Sequence, residues 1–346
     1  MRSYFNILFF FLSGFAACQE PASPKPGEGH QLFTNPVVAR NFPDPTVIKA
    51  HDGFYYAYAT NTTVNGETLN IQVLKSKDLL HWQACGDALP EKPHWASSDF
   101  WAPHVIYRES KGKYYLYYSG ESVADDTGKC LGVAVSDTPE GPFTDKGEPL
   151  LCGKGFVNID PMVFQDPGSG KIFLYWGSGF ESIKVRELSD DMLDFKANSA
   201  TTALVHPVKN NDQHNYEKLV EGVWVTKHKN FYYLFYSGDN CCGENAHYAV
   251  MVARSKHPAG PFEKYKNAQG TPVILHQNHK WLAPGHNSVI ADDSGRHWIM
   301  YHAINRQSPE KGRLFLMDRL IYSNGWPEIK GGSPSIDQIK TPLIKQ

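Results

Sequence analysis

The chain has 346 residues, of which 41% are hydrophobic and 13% aromatic, with a formal net charge of -2. That hydrophobic fraction excludes a disordered chain, and the near-neutral balance lacks the basic footprint of a nucleic-acid binder. The 18 tyrosines and 8 tryptophans favour strands, whose pleated surface suits aromatic side chains, and they would equally suit a surface that contacts sugars.

Residues 1–18 read as an export signal: Arg2 supplies the positive charge, Ile7 to Leu12 the apolar stretch, and Gly14-Phe-Ala-Ala-Cys18 a small-residue end. The stretch is too short for a permanent transmembrane helix. The end resembles the lipobox of bacterial lipoproteins, with Phe15 where an aliphatic residue is usual. The resemblance implies acylation of Cys18 and a lipid-anchored protein, periplasmic or on the cell surface; an ordinary cleaved signal is the alternative. Residues 19–30, rich in Pro and Gly, form a flexible linker, and residues 31–346 form one further domain. Cys85, Cys130, Cys152, Cys241 and Cys242 have neither zinc-site nor disulfide-framework spacing, so buried thiols are expected, with a bridge or metal at Cys241-Cys242 left open.

From residue 31 onward one unit recurs. Aromatic strands begin at Tyr55, Tyr114, Ile172, Tyr232 and His297, roughly sixty residues apart, each behind a turn containing Gly, Asp, Asn or Ser. A short strand precedes each turn (Thr46-Val-Ile, His104-Val-Ile-Tyr, Met162-Val-Phe, Val223-Trp-Val, Ser288-Val-Ile). A third strand follows, starting at Ile71, Leu131, Ile183, Tyr248 and Leu314. A fourth is marked by Leu80-His-Trp, Gly141-Pro-Phe, Leu193-Asp-Phe, Gly260-Pro-Phe and Gly325-Trp-Pro. No helical-period segment separates the units, and four strands repeated five times predict an all-β fold, a five-bladed β-propeller with four antiparallel strands per blade. Either 31–40 or 331–346 could close the ring.

In a propeller the first strand of each blade lines the axis. Alignment of the five first strands places Asp44, Ala102, Asp160, Glu221 and His286 at one position, so three carboxylates and an imidazole converge at one mouth. Crowded carboxylates raise one another's pKa, so a neutral acid and an ionised base can coexist near neutrality. Glycoside hydrolysis needs such a pair. Trp101, beside Ala102, offers a platform for a sugar face, with core packing as the other reading. Glu217 lies outside the repeat register and is not assigned the acid role.

Asn41-Phe-Pro-Asp-Pro-Thr-Val-Ile, Trp101-Ala-Pro-His-Val, Asn158-Ile-Asp-Pro-Met-Val-Phe, Val220-Glu-Gly-Val-Trp and Gly285-His-Asn-Ser-Val resemble, in order, the signatures of glycoside hydrolase family 43, over residues of about 35 to 330. The resemblance implies a five-bladed propeller acting on arabinan, xylan and related polymers by single-step inversion. It assigns Asp44 as general base, Glu221 as general acid and Asp160 as the residue that orients and tunes that acid. It also places Phe42, Trp101, Asn158 and Arg313 against substrate, with Arg306 and Arg319 as competitors for the arginine, and implies a calcium ion at His286, a hydrogen-bonded histidine without metal being the other reading.

Val223 stands where many members have Pro, and Phe-Pro-Asp-Pro replaces the His-Asp-Pro form typical of endo-arabinanases, which favours an exo-acting α-L-arabinofuranosidase or β-xylosidase. The alternatives are an endo-α-1,5-L-arabinanase and, from another class, a non-catalytic carbohydrate-binding propeller. A phosphorylase is disfavoured because no first strand opens with Lys or Arg.

Overall fold

The computed structural model describes residues 31–345 apart from positions 211 and 213. The export signal, Cys18 and the linker fall outside the described residues. Five antiparallel sheets follow one another along the chain. Blade one contains Thr46–Lys49, Tyr55–Ala59, Gln72–Ser76 and Gln83–Asp87. Blade two contains Ala96–Arg108, Lys113–Ser122 and Lys129–Ser136, with Thr144–Asp145 and Leu151–Cys152 sharing the outer edge. Blade three contains Met162–Gln165, Ile172–Trp176, Ile183–Glu187 and Thr202–Val205. Blade four contains Val220–His228, Phe231–Asn240 and His247–Ser255, edged by Glu263–Lys264 and Val273–Leu275. Blade five contains Trp281–Ala291, His297–Asn305, Arg313–Ser323 and Trp326–Ile329. Each first strand lies against the first strands of both neighbouring blades, which closes a ring of five around one axis.

The aromatic second strands are apolar throughout because each sheet is covered on both faces. In blade one, Tyr56 and Tyr58 pack with Phe100, Val105 and Leu116 of blade two, while Tyr55, Ala57 and Ala59 pack with Trp298, Met300 and Phe315 of blade five. Successive strand residues point to opposite faces, so a strand buried on both has no polar alternation. Each fully buried side chain such as Leu174 or Phe235 contributes about 1.5–3 kcal/mol of transfer free energy, and the core lies as wedges between blades.

Three expectations change. The fourth strand of blade three is Thr202–Val205; Leu193-Asp-Phe195 instead forms a turn closed by the Leu188–Phe195 bridge. Neither terminus supplies a blade strand. Leu32 and Phe33 pair with Lys340 and Ile339, and Asn35 exchanges hydrogen bonds with the Met317 backbone in both directions, so the ends are stitched beside blade five. Cys130 and Cys152 are not thiols: they lie directly opposite on adjacent antiparallel strands and are joined as a disulfide, as are Cys241 and Cys242. Strand register, which linear spacing does not reveal, brings the first pair together. Among the described residues no cysteine is free.

Candidate active site

Where each first strand enters the ring, one residue takes the left-handed conformation three positions before the buried valine (Val47, Val105, Val163, Val225, Val289). These residues are Asp44 (φ 58°), Ala102 (46°), Asp160 (57°), Gly222 (60°) and His286 (49°). Blade four therefore departs from the predicted register. The equivalent of Asp44 and Asp160 is Gly222, and Glu221 is one residue earlier, opposite Ser237 at a register shift in the strand pair. Gly222 meets two demands there: the positive φ, and a Cβ that would stand 3.2 Å from the His286 ring.

In four of the five blades the amide of the left-handed residue is held by the preceding blade, through the residue that ends its aromatic run. Ala102 N–H donates to Thr60 Oγ1 (2.9 Å), Asp160 N–H to Ser119 Oγ (3.1 Å), His286 N–H to Ser237 Oγ (2.8 Å) and, around the ring, Asp44 N–H to His302 Nδ1 (3.1 Å). In blade three the corresponding residue is Gly177, which has no side chain to offer. The Gly222 amide instead donates to Asp160 Oδ2 at 2.9 Å. Asp160 is thereby fixed against the backbone next to Glu221.

Asp44, Asp160, Glu221, His286, Arg313 and Trp101 line one cavity of about 490 Å³ at the mouth of the axis. Asp44 is 7% exposed. Its Oδ1 accepts from Arg313 Nη1 (2.7 Å) with His286 Nδ1 at 3.3 Å, and its Oδ2 accepts from Thr60 Oγ1 (2.6 Å). Burial pulls its pKa upward, but Arg313, His286 and His302 hold the carboxyl well below the usual range, so it is ionised. Glu221 accepts the Tyr248 hydroxyl at 2.8 Å. Burial pushes its pKa up to about 7, opposed by the Tyr248 bond and assisted by the Asp44 charge. Burial and the charges of Glu221 and Asp44 also hold Asp160 well above the ordinary carboxylate value. The cavity therefore carries both a base and an acid that keeps its proton near neutrality, the division that glycoside hydrolysis requires.

Trp101 forms part of the pocket wall, and Lys129 sits 4.0 Å from its ring centre, itself paired with Asp99 and Glu121. Two residues predicted to touch substrate are buried outside the cavity lining. Phe42 is 0% exposed and packs on Phe315 in the wedge between blades one and five. Asn158 is buried behind the pocket, accepting from Trp176 Nε1 at 3.0 Å, and so braces the approach to Asp160. Of the arginines, Arg313 is in the pocket, whereas Arg306 bonds to Gln277 and Asn278, and Arg319 to the backbone of His297. Glu217 bonds to Tyr236 and Lys264 away from the cavity.

The donors do not match a directly ligated calcium. His286 Nδ1 faces Asp44 Oδ1 and Asp160 Oδ2, and those carboxylates are engaged by Arg313, Thr60 and the Gly222 amide. Calcium takes six to eight oxygen ligands. Among the described residues no group of three or more His, Cys, Asp or Glu side chains is arranged to hold a metal.

Sequence reasoning missed Thr60, Tyr248, His302, Lys129, Phe156 and Phe180, and it gave the Cys241–Cys242 pair no place in the pocket. The repeat itself carried a sign of two of them: Thr60, Ser119, Gly177, Ser237 and His302 close the five aromatic runs, four hydrogen-bonding residues and one glycine.

Residues 33–327 match the family model for Glycosyl hydrolases family 43. An extracellular exo-α-(1→5)-L-arabinofuranosidase of Cellvibrio japonicus is 26% identical, the match covering 83% of this chain and 85% of that protein. A β-D-galactofuranosidase of Aspergillus niger is 32% identical over 84% of this chain and 82% of its own. Among solved structures, an endo-1,4-β-xylanase from Bacteroides thetaiotaomicron superposes with a TM-score of 0.71 at 28% identity, covering 89% of this chain and 99% of the other.

Proposed function

The chain belongs to glycosyl hydrolase family 43 and is a glycoside hydrolase, and from that premise we propose that it is an exo-acting, inverting enzyme that releases terminal α-L-arabinofuranosyl or β-xylosyl units from plant polysaccharide. The observation that carries the catalytic assignment is the opposed state of two carboxyls in one cavity: Asp44 held ionised by Arg313, and Glu221 raised to about 7. Exo action is supported by Phe42-Pro-Asp-Pro45, which stands in place of the His-Asp-Pro form typical of endo-arabinanases.

The terminal sugar rests on Trp101, with its glycosidic oxygen at Glu221. Asp44 takes a proton from a water on the opposite side of the anomeric carbon as the water oxygen bonds to that carbon. The bond to the leaving oxygen breaks, and Glu221 transfers its proton there. Asp160, held by the Gly222 amide, orients and tunes Glu221: burial and the Glu221 and Asp44 charges raise its own pKa, so it and Glu221 do not both ionise near neutrality. The Asp44 proton returns to Glu221 through solvent.

Export belongs to the same proposal. It is supported by the N-terminal signal pattern, by two disulfides of the kind that persist in oxidising compartments, and by a relative named extracellular. Acylation of Cys18 would hold the enzyme at a membrane through its linker.

The test is a panel of aryl α-L-arabinofuranosides, β-xylosides and β-galactofuranosides together with debranched arabinan and xylan, with products sized. Monosaccharide alone from the arabinose or xylose substrates is the expected result. A ladder of oligosaccharides refutes exo action, and turnover confined to galactofuranosides refutes the sugar assignment.

A further inference from the structure

Cys241 and Cys242 both line the cavity that holds Asp44, Asp160 and Glu221, and they are bonded to each other. A disulfide between sequence neighbours closes no chain loop, so it restricts the unfolded chain very little and adds almost nothing to stability by that route. Its place in the pocket therefore calls for another explanation.

The pair follows directly on Phe231–Asn240, the strand in which Ser237 and Gly238 lie opposite Glu221 and Val220. It thus stands at the rim on the Glu221 side. Cys241 packs with Ala246, Tyr248, Ala283 and Ile304, and Tyr248 is the residue that donates to Glu221. Cys242 is exposed. One sulfur is anchored in the wall and the other faces outward. The polar neighbours are committed to the loop itself: Asp239 to His247, and Asn240 to the Asn245 carbonyl. Elsewhere in the lining, Phe156 and Phe180 meet edge to face at 5.8 Å, with Phe180 57% exposed.

We propose that the Cys241–Cys242 disulfide is a specificity-determining platform for the sugar on the leaving-group side of the scissile bond, acting together with the Phe156–Phe180 pair. Glu221 gives its proton to the leaving oxygen, so the surface beside it flanks the leaving sugar. Joined sulfurs present a compact, polarizable apolar face with little demand for hydrogen bonds, suited to the C–H face of a sugar ring. Two separate thiol side chains would lack that rigid face. This inference rests on the glycosidase reading above.

The experiment uses the mature enzyme and two substrates of the active sugar, a methyl glycoside and a trisaccharide. Alkylation and mass analysis without reductant should leave Cys241 and Cys242 unmodified. In Cys241→Ser/Cys242→Ser, kcat/KM on the trisaccharide should fall about 10-fold, the scale of a lost apolar pocket contact, mainly through KM. The methyl glycoside should change less than about twofold on the same argument. Treatment of wild type with a phosphine reductant should reproduce that selective loss, a readout that stands even if the variant does not fold. A Cys130→Ala/Cys152→Ala variant should retain wild-type selectivity and lose it on the same treatment. Alkylation of both cysteines in untreated protein, equal losses on both substrates, or no loss would each overturn the proposal. Wild type that turns over neither substrate overturns the glycosidase reading as well, whereas active wild type with unaltered selectivity after reduction overturns this inference alone.

Discussion

Replacing Tyr248 by Phe removes one hydroxyl and keeps the ring, which stacks on His302 and lies against Gly285 closely enough to exclude a Cβ there. The lost interaction is the 2.8 Å bond to Glu221, which favours the ionised carboxylate and so lowers a pKa that burial raises to about 7. A hydrogen bond to a charged group is worth about 1.5–3 kcal/mol, and 1.36 kcal/mol corresponds to one pKa unit. Part of this is recovered by water and by the bond to the neutral acid, leaving an upward shift of about one unit. The acid must be protonated to act, so activity is lost as pH rises through the Glu221 pKa. The basic limb of the kcat/KM profile, which reports the free enzyme, should therefore move to higher pH in Tyr248→Phe while the acidic limb stays in place. A substrate with a poor leaving group, such as an unactivated disaccharide of the active sugar, followed from about pH 2 to pH 10 measures both limbs. A basic limb that is unmoved, or that moves to lower pH, refutes the assignment of Glu221 as the acid tuned by Tyr248.

Glu221→Gln should abolish hydrolysis of natural linkages but spare much of the activity on aryl glycosides with acidic leaving groups, whereas Asp44→Asn should lose both, since water activation is needed in either case; steady-state rates on paired substrates check this. Arg313→Met removes the cation that holds Asp44 low, so the Asp44 pKa rises and the acidic limb of kcat/KM should shift to higher pH. Lys129→Met frees one side of Trp101 from its cation and should raise KM a few-fold, roughly the 0.5–2 kcal/mol of such a contact. In that variant kcat and both pH limbs should remain near wild type.

The propeller was legible because each of its units must bury both faces of an aromatic strand, and that demand is written as a run such as Tyr232-Tyr-Leu-Phe-Tyr. Asp44 and Asp160 were legible because they occupy the same left-handed position in their blades. Glu221 was found by its motif and placed one residue out of register, because the chain resolves blade four with a glycine at the turn and Glu221 before it. Phe42 was misread for a similar reason: next to a catalytic motif, a core aromatic and a pocket aromatic look alike in one dimension. Tyr248 and Lys129 belong to third strands of their blades, and what brings them to Glu221 and Trp101 is lateral pairing, for which the sequence has no local mark. Cys130 and Cys152 are a further case, joined across strands by register alone.

The roles proposed for Asp44, a base acting on water, and Glu221, the acid, require displacement in a single step, so the anomeric configuration of the first-formed sugar tests the account most directly. Proton NMR recorded during the first minutes of hydrolysis, before mutarotation, should show the inverted anomer accumulating ahead of its partner. Initial accumulation of the retained anomer would contradict the assignment of Asp44 as a base acting on water.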